Sequence, residues 1–335
     1  MQFIKRNSTK ILVFLATLGL AAAYIFRLPD YFKFNPEGQF LALKLQDLLT
    51  LFLGIIVEAF PFVILGVVVS VLVGIFVDEE WVLKRLPKNR IISHVIISLL
   101  GVLMPVCECG NIPVARRLLL KGFTVSQSIT FLLAAPILNP VTFITTREAF
   151  YFAPEVVWIR MIAGFIIANF IGILLSFKSN QSELLTQEFY AEVCEADHHH
   201  HDSKIEEALE IFQNEFLEIM KVLVIGAALA AISQTFIPRD IILLIGQNPI
   251  MSIIAMLILA FVISICSNVD AFFALSYANT FTLGSIMTFL VFGPMIDIKI
   301  LTMMKSTFKL KTLLLITVLV TMMSVLVGLM VNFFI

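Results

Sequence analysis

Long apolar runs alternate with short polar breaks along most of this chain. A helix needs roughly 20 mostly apolar residues to cross the hydrocarbon core of a bilayer. Nine runs approach or exceed that length: 10–27, 46–77, 90–112, 124–146, 156–177, 211–237, 249–277, 283–303 and 312–335. The pattern predicts an all-α fold, a polytopic integral membrane protein with about nine transmembrane helices. The first run follows Lys5, Arg6 and Lys10, as an export signal would, and Leu20-Ala21-Ala22-Ala23 offers small residues for cleavage. Eight later spans favour an uncleaved helix instead.

One stretch departs from the pattern. Residues 178–207 are polar and acidic and carry His198, His199, His200 and His201 between Asp197 and Asp202. The expected organisation follows: an N-terminal helix and loop over 1–45, a first four-helix unit over 46–177, a polar linker over 178–207 and a second four-helix unit over 208–335.

The two units read as a repeat. The run Phe123-Thr124-Val125-Ser126-Gln127-Ser128-Ile129-Thr130-Phe131-Leu132 aligns with Phe281-Thr282-Leu283-Gly284-Ser285-Ile286-Met287-Thr288-Phe289-Leu290. In the same register Pro136 meets Pro294 and Asn139 meets Asp297. One residue of drift pairs Cys107 with Cys266, and one more pairs Glu58 with Glu218 and Gly66 with Gly226. Four spans per unit give both units one orientation, related by an axis along the membrane normal. A re-entrant segment in each would make the count odd and the repeat inverted. The sequence leaves both arrangements open.

Composition agrees with a membrane setting. Of 335 residues 59% are hydrophobic and only 14% charged, against about 25% charged in soluble domains. A formal net charge of −1 gives no footprint for nucleic acid. Cys107, Cys109, Cys194 and Cys266 form no disulfide framework in so long a membrane chain. The Lys/Arg bias is modest; with the N-terminus inside it places Lys84, Arg85, Lys88 and Arg90 in the cytoplasm and the histidine linker outside.

The candidate chemistry lies where apolar spans are interrupted. Met104-Pro105-Val106-Cys107-Glu108-Cys109-Gly110-Asn111-Ile112-Pro113 ends one span, and Cys266-Ser267-Asn268-Val269-Asp270 ends another. Proline removes a backbone donor, and backbone freed at membrane depth survives only inside protein or along a wet cavity. Such breaks at matching places in two halves point to a transport site. A second pair of breaks is Ala134-Ala135-Pro136-Ile137-Leu138-Asn139-Pro140 and Phe292-Gly293-Pro294-Met295-Ile296-Asp297. The expected substrate pathway is therefore Cys107, Glu108, Cys109, Asn111, Pro113, Pro136, Asn139, Pro140, Cys266, Asn268, Asp270, Pro294 and Asp297. Carboxylates within spans are costly and functional by default, so Glu58, Asp270 and Asp297 are candidates for ion coupling. The competing structural reading pairs Asp297 with Lys299 and treats Glu58 as a polar kink.

Thiolates favour soft ions. Cys107-x-Cys109 alone is also what small buried hydrophobes look like, and Cys266 at the matching position strengthens ligation. His198–His201 read either as a metal collector or as a solvated linker. No nucleotide-binding loop, catalytic triad or zinc-protease motif is present, so no enzyme activity and no cofactor are expected.

From Pro105 to Thr142 the chain resembles the YraQ/ArsP-type predicted permeases. Their pattern is similar to Pro-x-Cys-x-Cys-Gly-x-x-Pro, a glycine a short way on, then Ala-Ala-Pro-x-x-Asn-Pro; here Pro105, Cys107, Cys109, Gly110, Pro113, Gly122, Ala134, Ala135, Pro136, Asn139 and Pro140 carry it. The resemblance implies a multi-pass permease of a bacterial plasma membrane, with members that export trivalent organoarsenicals and others that move divalent metals. Two departures stand out. Glu108 replaces the small residue often found between the cysteines, which suits a divalent cation better than a neutral arsenical. The second half offers Cys266-Ser267-Asn268 in place of a second Cys-x-Cys. The expected function is efflux of a small inorganic or organometalloid substrate by alternating access. The alternative is a non-transporting membrane subunit that anchors or partners another protein in a metal-responsive complex.

Overall fold

The computed structural model describes residues 36–76, 87, 89–103, 107–178, 181–195, 204–236, 249–278 and 280–334. The expected first span (10–27) and His198–His201 lie outside them. The described chain is helical throughout apart from short connections and one isolated bridge, Leu185 to Phe308. Its helices are α1 (Pro36–Phe76), α2 (Arg90–Leu103), α3 (Glu108–Leu120), α4 (Val125–Ala134), α5 (Pro140–Ala149), α6 (Glu155–Ser176), α7 (Gln187–Glu195), α8 (Lys204–Phe236), α9 (Pro249–Ile263), α10 (Asp270–Leu275), α11 (Leu283–Met295), α12 (Ile298–Met304) and α13 (Leu310–Phe334).

Five stretches among the described residues are long and apolar enough to cross a membrane: Phe40–Gly74, Glu155–Ser176, Ile211–Thr235, Leu283–Met304 and Leu310–Phe334. Shorter apolar helices cover Arg90–Val102, Val125–Ala134 and Ile250–Ile263. The runs 90–112, 124–146, 249–277 and 283–303, read from hydropathy as continuous spans, are each interrupted. Local chemistry accounts for three of the interruptions. Asn139 accepts a hydrogen bond from Val141 N (2.9 Å) and Pro140 opens α5, so a new helix starts where α4 runs out. Asp297 does the same for α12, accepting from Ile300 N at 2.5 Å. Ser264 takes a left-handed backbone (φ 52°) after α9, a conformation costing a non-glycine residue about 1–2 kcal/mol.

Helix directions follow from contacts at their ends. Gln127 Nε2 donates to Ser93 Oγ (2.7 Å) where α4 and α2 begin, and Gly101 lies against Ala135 where they finish. These two helices are parallel. α3 leads into α4 through a tight turn at Gly122 (φ 84°), and Thr124 closes a capping box with Gln127. α3 therefore returns toward the level at which α2 begins, packed against α1 and α4, so that α2 and α3 together make a hairpin-like excursion. Likewise Ser252 and Thr282 pair at 3.2 Å where α9 and α11 begin, and Gly293 faces Ala260 near their ends. The segment through α10 returns to the starting level, a second hairpin.

The long helices run antiparallel. Lys44 Nζ donates to the Thr235 carbonyl (3.1 Å), Phe60 meets Phe216 edge-on, and Ser70 Oγ donates to Glu215 (2.7 Å), so α1 and α8 run in opposite directions. The beginning of α4 lies beside the segment after α6, where Ser126 N donates to Gln181. That segment in turn pairs with the entry to α13, through Lys309 N to Leu184 O and Thr186 N to Thr307 O, both 3.0 Å. The beginning of α11 lies at the far end of α13, where Gly284 N donates to Asn332 Oδ1 (2.9 Å). α4 and α11 thus point in opposite directions as well.

Small residues allow the close approaches. A Cβ on Gly66 would run into the Gly110 backbone, so α3 closes on α1 only because Gly66 has none. Gly226 admits the Lys299 backbone, and hence α12, to α8, with 3.2 Å from its would-be Cβ to the Lys299 carbonyl. Outward faces remain apolar: Trp158, Ile162, Ile166 and Phe170 on α6, and Leu314, Val318, Met322 and Leu326 on α13.

Candidate functional site

The interrupted runs bring short helix starts to the middle of the molecule. Cys107 is the N-cap of α3, without a capping bond from its side chain, and Glu108 is the first residue of the helix. From the other half, Cys266 and Ser267 sit in the irregular stretch between α9 and α10. Cys107 Sγ, a Glu108 carboxylate oxygen and Cys266 Sγ all lie within 4.8 Å of one another, and all three residues are buried. Cys109 is also buried, within bonding reach of Cys107.

Glu108 is the hub. Its Oε2 accepts from Cys266 Sγ (3.6 Å), Ser267 Oγ (3.3 Å) and Ser267 N (3.5 Å). Its Oε1 accepts from Lys299 Nζ at 3.2 Å. Both side chains are about 3% exposed, so this is an ion pair away from solvent. Lys299 also reaches the Ser264 carbonyl at 3.4 Å.

A second buried pair lies nearby. Arg160 of α6 grips Asp270 at the start of α10 with two bonds (3.0 and 2.5 Å) and donates to Thr146 Oγ1 (2.8 Å). Arg160 is fully buried and Asp270 is 2% exposed. Each pair joins the halves: α3 to α12, and α6 to α10. A buried ion pair that loses one partner leaves an uncompensated charge costing about 3–5 kcal/mol.

Several polar atoms here have no hydrogen-bond partner although buried: both amide atoms of Asn111, Oδ1 of Asn268 and Oδ2 of Asp297. Buried polar groups are nearly always bonded, so this concentration beside the thiols is unusual. Asn139 and Asp297 are 1% exposed and cap the helices that begin at the second pair of breaks. Pro113 and Pro294 are buried inside helices α3 and α11, Pro136 is buried in the turn after α4, and Pro140 is exposed. Glu58 is exposed on α1, three residues before Pro61.

Several partners lie far apart in the chain. Lys299 pairs with Glu108 and not with its neighbour Asp297. Asp270, without a basic residue close in sequence, takes Arg160 from 110 positions away. Arg160 itself was findable, since a cation in an apolar span is a functional candidate by default. Ser267 adds two donors that spacing could not announce. A further charged cluster joins α1, α3 and α8 where Arg116 meets Glu218 (2.7 Å) and Arg117 meets Glu215. The Phe189 ring of α7 lies over the Arg116 guanidinium at 4.8 Å. An open cleft lined by Thr186, Gln187, Lys305, Phe308, Lys309 and Leu310 lies away from the thiols, beside the 184–186 and 307–309 contact.

Two sulfurs and a carboxylate oxygen form a donor set for soft or borderline cations. Three protein ligands with a fourth position left open is the arrangement of zinc sites that exchange a ligand, as catalytic ones do, whereas structural sites close the shell with four.

Comparison with known proteins gives the wider frame. A family model described as "Predicted permease" (ArsP_1) matches residues 44–333. The chain is 41% identical over 265 residues to UPF0718 protein YcgR of Bacillus subtilis, covering 78% of this chain and 88% of that protein. It is 36% identical over 272 residues to a putative two-component membrane permease complex subunit of Streptococcus mutans, covering 79% and 88%. It is 24% identical over 112 residues to UPF0718 protein YraQ of Escherichia coli, covering 33% and 32%. No solved structure matches.

Proposed function

The chain belongs to the ArsP_1 predicted permease family, a multi-pass protein of bacterial plasma membranes, and on that premise we propose that it moves a soft or borderline metal cation through the Cys107–Glu108–Cys266 cluster. The observation that carries this is the convergence of two thiols and a carboxylate, drawn from both halves, within 4.8 Å. A hard cation would gain little from thiol donors, and the Glu108 carboxylate adds a negative charge that a neutral thiophilic species would not call for. The unpartnered atoms of Asn111, Asn268 and Asp297 support a hydrated path beside it, because polar groups at membrane depth are tolerated along a cavity. Glu58, Asp270 and Asp297 remain the proposed ion-coupling carboxylates, with Asp270 working against Arg160.

The halves 46–177 and 208–335 are read as inverted repeats separated by the 178–207 linker. Three things support this. Their helices follow one order: long, hairpin, broken pair, long. Equivalent residues do equivalent work, Thr124 and Thr282 capping α4 and α11, Asn139 and Asp297 capping α5 and α12. The matched helices α1 and α8, and α4 and α11, point in opposite directions. A re-entrant hairpin and three crossings per half give the odd count that inversion requires. Rocking one half against the other would expose the cluster to each side in turn, and outward movement would make the chain an exporter.

Purified chain in liposomes is expected to carry Cd²⁺ or Zn²⁺ down a gradient, read by a trapped fluorescent chelator. Flux at the rate of empty liposomes, with either ion or a trivalent organoarsenical, would reject transport by this chain alone. The second reading, a subunit dependent on a membrane partner, is favoured by the name of the Streptococcus mutans relative. It predicts flux only when a second component is added.

A further inference from the structure

We propose that Lys299 is a tethered counter-cation, holding the ligand-free cluster through Glu108 and passing to Asp297 when a substrate cation enters. This rests on the cation reading above and adds how the site accepts and releases its charge.

Lys299 Nζ lies 3.2 Å from Glu108 Oε1, with both side chains almost wholly buried. Glu108 is one of the three donors that converge on the proposed ion. Its carboxylate therefore serves two cations, one built in and one arriving. Two positive charges on one buried carboxylate repel strongly, because little water screens them. An entering cation must move the ammonium aside.

The structure provides a place for it to go. Asp297 stands two residues before Lys299, at the start of the same helix. Its Oδ1 is committed to the Ile300 N–H, but its Oδ2 is buried and has no hydrogen-bond partner. The other buried carboxylate nearby, Asp270, is already held by both terminal nitrogens of Arg160. The second hold on Lys299, the Ser264 carbonyl, is long at 3.4 Å and comes from a residue in a left-handed conformation. Lys299 thus has a firm partner, a weak one and an open one.

The shift keeps Glu108 paired throughout and gives Asp297 a partner only once the substrate cation is bound. Before entry Lys299 neutralises Glu108. After entry the cation does so, and Lys299 neutralises Asp297. Release reverses the exchange, with the returning ammonium displacing the substrate. A site built this way binds less tightly than its donors alone would, which favours turnover over storage. It also discriminates by charge, since a neutral species has no means of driving Lys299 from Glu108.

Cd²⁺ titration of the purified full chain, with flux into liposomes in parallel, tests this. Lys299→Gln is expected to bind Cd²⁺ about tenfold or more tighter, the scale on which outer-shell changes move metal affinity, and to transport it more slowly. Lys299→Arg keeps the charge and is expected to keep the wild-type affinity. Asp297→Asn removes the receiving carboxylate and is expected to bind more weakly. If Lys299→Gln and Lys299→Met, folded as judged by their melting curves, bind Cd²⁺ no tighter than wild type while Cys107→Ser abolishes binding, the exchange is wrong and the cation reading stands. If wild type and Cys107→Ser bind Cd²⁺ equally, both fall.

Discussion

Changing Cys107 and Cys266 together to serine is expected to weaken Cd²⁺ binding by about 100-fold or more, leaving membrane yield and melting temperature close to wild type. Outer-shell changes already cost metal sites about 10–100-fold, and this variant removes two direct ligands of the proposed set. Serine keeps nearly the same shape and still hydrogen-bonds to Glu108, so packing around the cluster should survive. What it cannot supply is a soft thiolate. The single variant Cys109→Ser should do less, because Cys109 borders the three converging donors without belonging to them. Equal losses at Cys107 and Cys109 would shift the site toward the Cys-x-Cys pair on α3. Binding releases protons where thiols become ligands, so the wild-type titration should acidify a weakly buffered solution, and the double variant should not.

The second large effect concerns Arg160. Arg160→Leu leaves Asp270 buried at 2% exposure without its counter-ion, a loss of about 3–5 kcal/mol. Yield should fall and the melting temperature drop. The pair Arg160→Leu with Asp270→Leu removes both charges and should recover much of that stability, since buried pairs often break even against apolar replacements. Recovery of fold without recovery of flux would assign the pair a part in transport. Recovery of both would make it a structural tie between α6 and α10. An unaltered melting curve for Arg160→Leu alone would contradict the buried pairing.

Membrane class, the breaks and most of the polar residues near the cluster were legible in the sequence. Twenty-residue apolar runs follow directly from bilayer thickness, and Pro136, Pro140 and Cys107-Glu108-Cys109 mark interruptions by their own chemistry. Hydropathy could not tell a crossing from a hairpin. Residues 90–112 are apolar enough for one span, yet α2 and α3 are separate helices, and α3 packs on α1 where Gly66 admits the Gly110 backbone. Apolarity leaves open both four spans per half and a re-entrant segment in each, and the opposed directions of α4 and α11 are what support the proposed second arrangement. Partners were the other gap. Glu108 with Lys299 and Arg160 with Asp270 are separated by 191 and 110 positions. Charge cost at membrane depth says that such residues need partners, but not which ones. The histidine run and the first apolar run lie outside the described residues, and the readings made for them rest on the sequence.

The most direct measurement is X-ray absorption at the zinc edge on the purified, zinc-loaded chain. The proposed cluster predicts two sulfur scatterers near 2.3 Å, with oxygen or nitrogen completing a four-coordinate shell, and loss of both sulfurs in the Cys107→Ser, Cys266→Ser variant. A shell of oxygen and nitrogen alone, unchanged in that variant, would contradict it.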